Sequence, residues 1–590
     1  MEIYGADTKG IVGTLIKLKT IKEENRRGIT SLGLASRVVR EGIVRATKAI
    51  ETLKGNWEVV NNYGYTFDLS PAEDPKNSSG LDLPIAIMLL QASILQKGDI
   101  AKEEIRKLKE KIASPKIDDK TRKAILEQIE KLIAFEEKRK KYLDRLNSNK
   151  NKYLLIGTLD ITSGKLETPQ YGMLSLISSA QNGFTVIVPE EAEIHAALVV
   201  QANKSITAYK AYDLNEVWNV ILGLVEPRKV QLSKEKVKQK KILNYIPDLN
   251  AIRGVTKAKL AMKVALAGGH NILFVGPPGQ GKTMLAQSAI NLLPSLSKED
   301  WLEVNKIYSA KGELTANELI LERPYKEAQN NTTVAALIGG GTRPPLPGLV
   351  SLAHKGILFF DEFNLCSSDL IEHLRTAMNN NKVTVQRLHS EIEYPSNFIL
   401  VAAMNPCKCG WHNHFHCPEC GSISLDKSSF CKNHKKPMIN KCNCSISTIE
   451  SYKKKLSGPL LDRIDLKVLV SSFDDSLRGH DYATSTFKRE ISVARQIQED
   501  RYKKVSFISC NADVPNSKEY EIYDPLDKDL HNYLISIYKK YNIGSNRVQV
   551  KLLLVSRTIA DLSSSKKISK SHIDLAADLM GINDSYFKNF

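Results

Sequence analysis

At 590 residues, with 42% apolar and 25% charged residues, the chain has the composition of a globular protein of about two to four domains. No apolar run approaches the roughly 18 residues of a membrane span, and "MEIYGADTKGIVGTLIKLKT" has no continuous apolar core, so neither membrane insertion nor a signal peptide is expected and the reading is cytoplasmic. A net charge of +18 favours a polyanionic partner such as nucleic acid, although a general excess of lysine would give the same number.

Residues 1–225 read as an α+β domain. Strand-like runs such as "WEVVNNYGYTFDLS" alternate with a helix over "IAIMLLQASIL". Within it, residues 97–151 are highly charged and helix-favouring, with apolar residues at helical spacing and a break at "ASPKIDD". This pattern reads as an inserted helical hairpin, although the composition taken alone favours a solvated spacer. Residues 226–247 are basic and apolar-poor, a linker. Residues 248–470 alternate strand and helix as a parallel α/β core does, and 471–590 read as helices.

The core opens with "NILFVGPPGQGKTMLAQ". An apolar strand runs into Gly276-Pro277-Pro278-Gly279-Gln280-Gly281-Lys282-Thr283, and a helix follows from Met284. Glycines let a loop turn its N–H groups toward a phosphate, and the helix N-terminus adds partial positive charge. Residues Gly276 to Met284 are therefore the expected ATP-binding segment. Lys282 would hold the β and γ phosphates and Thr283 would ligate Mg²⁺.

Further along, "GILFFDEFN" places Asp361 and Glu362 at the end of a buried strand. Asp361 is expected to hold Mg²⁺ through water, and Glu362 to act as the base that polarises the attacking water. A third strand, "NFILVAAMNP", ends at Asn405, which can orient that water. Arg463 in "LSGPLLDRIDL" could reach the nucleotide of a neighbouring subunit. Arg547, at a helix start in "GSNRVQVKLLL", suits a sensor closing a helical lid. Taken alone, each arginine reads first as an ordinary ion pair.

Seven of the nine cysteines fall between Cys407 and Cys444. The excursion 406–445 has Cys407-x-Cys409 and Cys442-x-Cys444 at its neck, and Cys417-x-x-Cys420 with Cys431-x-x-His434 inside. Such spacings point to reduced thiols and one or two structural Zn²⁺ ions, with closed tetrahedral sites and no open position for catalysis. The ligand pairing could cross between the two sets. His412, His414 and His416 are expected to face solvent, unless one replaces a cysteine.

The segments "LSPAEDPKNSSGLDLPIA", "AGGHNILFVGPPGQGKTMLA", "ALIGGGTRPPLPGLVSLAHKGILFFDE", "VAAMNPCKCG", "LSGPLLDRIDL", "ARQIQEDRY" and "SRTIADL" together resemble the YifB/ComM-type magnesium-chelatase-like AAA+ ATPases. The resemblance implies an AAA+ P-loop NTPase core, an N-terminal Lon-protease-like domain, a C-terminal helical lid and a homo-oligomeric ring, a hexamer. It makes Asn405 the first sensor, Arg463 a finger acting in trans and Arg547 the second sensor. The neck cysteine pairs resemble the family's own. The implied work is DNA remodelling, as a helicase driving branch migration during uptake of foreign DNA. Val383–Phe398 resembles a pore hairpin in which Lys382 and Arg387 would meet backbone phosphates.

Two stretches depart from the family pattern. "RPYKEAQNNTT" lacks the usual histidine pair, and Asn379–Asn381 replace an acidic-Gly turn. The rival readings are a remodeller of protein targets, a chelatase-like motor and a protease. Lon chemistry needs a lysine to activate Ser78 or Ser79. The helix expected to carry it, Met173 to Gln181, has none, so the Lon-like domain reads as proteolytically inactive.

Overall fold

A computed structural model describes the chain except residues 24–27, 33–35, 54–63, 72–75, 77, 114–117, 233–236, 242–244, 253, 342–344, 388–389, 421–422, 426–429, 432–433, 457, 471–483, 506–507, 516–525 and 589–590. The first half of "WEVVNNYGYTFDLS" and the start of the expected lid thus lie outside the described residues. Two compact units are present, residues 1–240 with 298–319, and residues 241–297 with 320–590. Among the described residues no helix is long and apolar enough to cross a membrane.

The first unit is built on an eight-stranded mixed sheet in the order Arg228–Lys229, Thr207–Ala211, Phe184–Pro189, Lys152–Leu155, Glu2–Lys9, Val12–Glu23, Gly64–Ser70, Gly28–Leu32. The charged segment 97–151 is a helical hairpin. Its first helix, Asp82–Ile112, starts in the core with Leu83, Ile85 and Leu90 buried and continues into the charged stretch. The second, Asp119–Ser148, is capped by Asp118, whose carboxylate accepts the Thr121 N–H at 3.2 Å. It buries Ile125, Ile129 and Leu146, which a solvated spacer would not do.

The helix Lys298–Lys311 follows the phosphate loop in sequence, and the sequence reading placed it in the 248–470 core. The structure groups it with the first unit, where it packs on the helices Met173–Ser178 and Glu193–Ala202. Val304, Ile307 and Tyr308 form its buried face.

In the second unit five strands lie in the order Tyr325–Ala328, Ile357–Phe360, Ile399–Met404, Ile272–Val275, Leu466–Leu469, all parallel. Ile272–Val275, Ile357–Phe360 and Ile399–Met404 are buried at every residue, as a parallel sheet covered on both faces requires. The C-terminal helices Thr484–Tyr502 and Asn546–Leu562 pack on the helix Thr256–Gly268.

One buried ion cluster ties them to the sheet. Asp465 pairs with Lys551 of the helix Asn546–Leu562, and also accepts the Asn271 N–H at 2.9 Å. Burial pushes the Asp465 carboxyl up, but Lys551 and His270 outweigh it and hold it well below the usual carboxylate range.

Candidate functional site

Strand register decides which side chains meet. Ala328 pairs with Phe360, Phe360 with Ala402, and Val275 with Met404. Each strand then leaves the sheet at the same carboxyl edge, so Asn330, Asp361, Glu362, Asn405 and Gly276 emerge as neighbours. Ligand sites in open α/β sheets lie at this edge.

Gly279 and Gly281 have φ of 76° and 74°, the left-handed values that curl the phosphate loop and that side-chain-bearing residues rarely adopt. Lys282 lies inside the curl and donates to the carbonyls of Gly276 at 2.7 Å and Pro277 at 2.8 Å, and to Asn405 Oδ1 at 3.3 Å. Burial pushes its ammonium down to about 8, against the pull of Asp361. Thr283 Oγ1 donates to Asp361 Oδ2 at 2.9 Å, which holds the hydroxyl and the carboxylate side by side.

Glu362 has φ of 49°, a left-handed conformation that is costly for a non-glycine residue. It turns the side chain away from the buried strand into an exposed position. There Oε2 accepts the Asn330 side-chain amide at 2.8 Å. Asn330 was not singled out in the sequence. The signal available was its place two residues past a strand that flanks "ILFFDE".

This arrangement fits a nucleoside triphosphate with Mg²⁺: a curled loop of N–H donors, a cation within it, and a hydroxyl–carboxylate pair of hard oxygens. Lys282 would meet the phosphates, Thr283 and Asp361 would hold Mg²⁺, and Mg²⁺ would neutralise charge on the phosphate oxygens. Glu362 and Asn405 flank the space where a water would attack.

The cysteines gather in two sets. Cys407, Cys409, Cys442 and Cys444 form one and Cys417, Cys420, Cys431 and His434 the other, with ligand atoms within 4.8 Å of one another in each. Sγ separations of 3.3 Å (Cys407–Cys409), 3.8 Å (Cys407–Cys442) and 3.6 Å (Cys409–Cys442) are far too long for disulfides. They fit a tetrahedron of about 2.3 Å Zn–S bonds, whose sulfurs sit about 3.8 Å apart. In the inner set His434 Nδ1 is 3.8 Å from Cys417 Sγ and 3.6 Å from Cys431 Sγ.

The excursion folds back onto the phosphate loop. Gly410 has φ of 84°, and a Cβ there would come within 2.8 Å of Pro278 Cδ. His414 is not solvent-facing as expected. It is fully buried, with Nδ1 donating to the His412 carbonyl at 2.8 Å.

The family described as "Magnesium chelatase, subunit ChlI" matches residues 248–440 and 423–477. Its C-terminal counterpart matches 482–579, and "Subunit ChlI of Mg-chelatase" matches 18–108. Competence protein ComM of Haemophilus influenzae is 29% identical over 585 residues, covering 97% of this chain and 95% of that protein. YifB of Escherichia coli is 27% identical, covering 94% and 92%. The chain belongs to the YifB/ComM-type magnesium-chelatase-like family.

A magnesium-chelatase 67 kDa subunit of Heliobacterium mobile is 28% identical over 200 residues, which is 29% of this chain and 30% of that one. The second unit of this YifB/ComM-type protein is thus an α/β core of AAA+ type.

Two departures from the YifB/ComM pattern acquire roles. "QNNTT" supplies the Asn330 that holds Glu362. In "NNN", Asn381 takes the left-handed turn at φ 52°, and Asn379 Oδ1 accepts Arg463 Nε at 2.6 Å.

Arg463 and Arg547 stand elsewhere. The Arg463 carbonyl accepts the Asn271 side-chain amide at 3.4 Å, at the start of Ile272–Val275, whereas the phosphate loop begins at its end. About 13 Å of strand separates the two edges. Arg547 belongs to this edge as well. Lys551, one turn on, pairs with Asp465 there, and Arg547 with Arg375 adds to the burial that lowers the Arg463 pKa. Arg547, expected as a sensor closing a helical lid on the nucleotide, thus lies on a helix that docks at Asp465, with Arg463 rather than with the phosphate loop of its own chain.

The strands Lys382–Arg387 and Ser390–Pro395 form the expected hairpin. Lys382 is ion-paired with Glu393 at 2.7 Å, both half-exposed, and the side chain of Arg387 lies outside the described residues.

Proposed function

We propose that this protein is a ring-forming ATPase, a hexamer, that couples ATP hydrolysis to DNA remodelling, as a helicase driving branch migration when incoming DNA is recombined. The observation that carries the reading is the division of the active-site residues between two edges of one sheet. Lys282, Thr283, Asp361, Glu362 and Asn405 meet at the carboxyl edge, while Arg463 and Arg547 stand at the other. A guanidinium there serves a nucleotide bound by the next subunit, which is what a closed ring supplies.

DNA as the substrate is supported by the +18 charge and by similarity along nearly the whole chain to a protein named for competence. The exposed Lys382–Glu393 pair is weak enough for a phosphate to compete with it. Two structural Zn²⁺ ions, one in each cysteine set, would close the excursion beside the phosphate loop. The Lon-like domain is read as inactive in proteolysis, since the helix Met173–Ser178 has no lysine.

The test is ATP turnover without DNA and with single-stranded, forked and four-way DNA, at about 50 and 200 mM salt. Stimulation by branched DNA that weakens with salt is expected. Stimulation by unfolded protein and by no DNA would favour the remodeller of protein targets instead.

A further inference from the structure

Asn405, Pro406 and Cys407 are consecutive, and each is held by a different part of the second unit. Asn405 Oδ1 accepts from Lys282 Nζ at 3.3 Å. The Pro406 carbonyl accepts the Tyr586 hydroxyl at 2.8 Å, from a residue 180 positions away. Cys407 belongs to the neck set of four cysteines. Proline has no N–H, so the carbonyl is the one backbone hydrogen-bonding group through which Pro406 can be fixed.

Tyr586 is itself immobilised. It lies in the short helix Ser585–Lys588 and is 1% exposed. Its backbone carbonyl accepts Lys453 Nζ at 3.0 Å, and the same ammonium sits 3.9 Å from its ring centroid. Phe587 packs edge-on at 5.3 Å. Lys453 lies in the last turn of the helix Ile446–Lys454, which leaves the cysteine neck. Burial pushes the Tyr586 pKa up, so its hydroxyl stays a proton donor across the physiological range. The last turn of the chain thus reaches the loop that carries Asn405.

We infer that Tyr586 is a positioning residue for nucleotide hydrolysis. Its hydroxyl fixes the Pro406 carbonyl and thereby sets the Asn405 side chain against the phosphate loop. A change in the packing of the C-terminal helices is transmitted to the hydrolytic water through this one hydrogen bond. The inference rests on the hydrolytic reading of the site.

Tyr586→Phe keeps the ring, its packing and its contact with Lys453, and removes the hydroxyl alone. ATP turnover by the full chain should fall about tenfold, as loss of one transition-state-orienting contact does, with KM for ATP and the unfolding temperature unchanged. In an Asn405→Ala background the same substitution should cost nothing further, because coupled residues are non-additive. A kcat within about twofold of wild type would overturn the inference. So would an undiminished second loss in the Asn405→Ala background, which marks a merely structural role. Wild-type turnover is measured first, and its absence would overturn the hydrolytic reading along with this one.

Discussion

Asn330 donates its side-chain amide to Glu362 Oε2 at 2.8 Å, each lying two residues beyond the last registered pair of two parallel strands, Ala328 and Phe360. A carboxylate tied in this way has less freedom to turn toward water. Asn330→Ala should therefore raise ATP turnover in the absence of DNA by about 3- to 10-fold, part of what a bond to a charged group is worth. Glu362→Gln should bind ATP and lose about 10²- to 10⁴-fold in turnover. An unchanged rate in the first would show that the bond does not restrain the base, and near-normal turnover in the second would remove Glu362 from that role.

Lys282 predicts a pH dependence. Its pKa is pushed down to about 8 by burial. Bound phosphate favours the charged form, so binding above pH 8 requires proton uptake and weakens as pH rises. Affinity for a fluorescent ATP analogue should be flat from about pH 6.5 to 7.5 and fall toward pH 9.5. Lys282→Arg, which stays charged over this range, should flatten the profile. Equal slopes in both proteins would place the titration elsewhere.

Sharing of sites between subunits can be tested by mixing. Arg463→Ala and Lys282→Ala proteins are each expected to be inactive, and their mixture to recover part of the turnover by pairing an intact phosphate loop with an intact arginine. Arg547→Ala should complement Lys282→Ala in the same way, because it stands beside Arg463. If Arg547→Ala were active alone, it would have no part in the shared site.

Elemental analysis should find about two zinc equivalents per chain, from two sets of four ligands. Cys420→Ser should reduce this to about one and leave turnover near wild type, since its set shares no ligand with the neck set that begins two residues after Asn405. Fewer than about 0.5 equivalents in the wild-type protein would show that the sets do not hold zinc.

Lys551→Met leaves Asp465 buried without its main partner. Chemical denaturation of the full chain should show a loss of about 3–5 kcal/mol, most of it restored by adding Asp465→Leu, which removes the stranded charge. A loss below about 1 kcal/mol would mean that the C-terminal helices are held by apolar packing alone.

Much of the site is legible locally. Gly276 to Thr283, the apolar run into Asp361-Glu362 and the cysteine spacings each specify their chemistry within a dozen residues, because a loop conformation, a strand end and a ligand pair are short-range properties of the chain. The family resemblance spans these same short motifs. What the sequence did not reveal depends on which strands lie side by side and on where helices dock, and both are settled by long-range burial. Strand order brings Asn330 to Glu362. Burial of the chain's last turn brings Tyr586 to Pro406 across 180 residues. Docking of the helix Asn546–Leu562 on the far edge of the sheet carries Arg547 away from its own phosphate loop. Nothing local to Tyr586 distinguishes it from an ordinary core tyrosine, and neither the place of Asn330 past its strand nor that of Arg547 at a helix start names a partner, so only the packed fold assigns one.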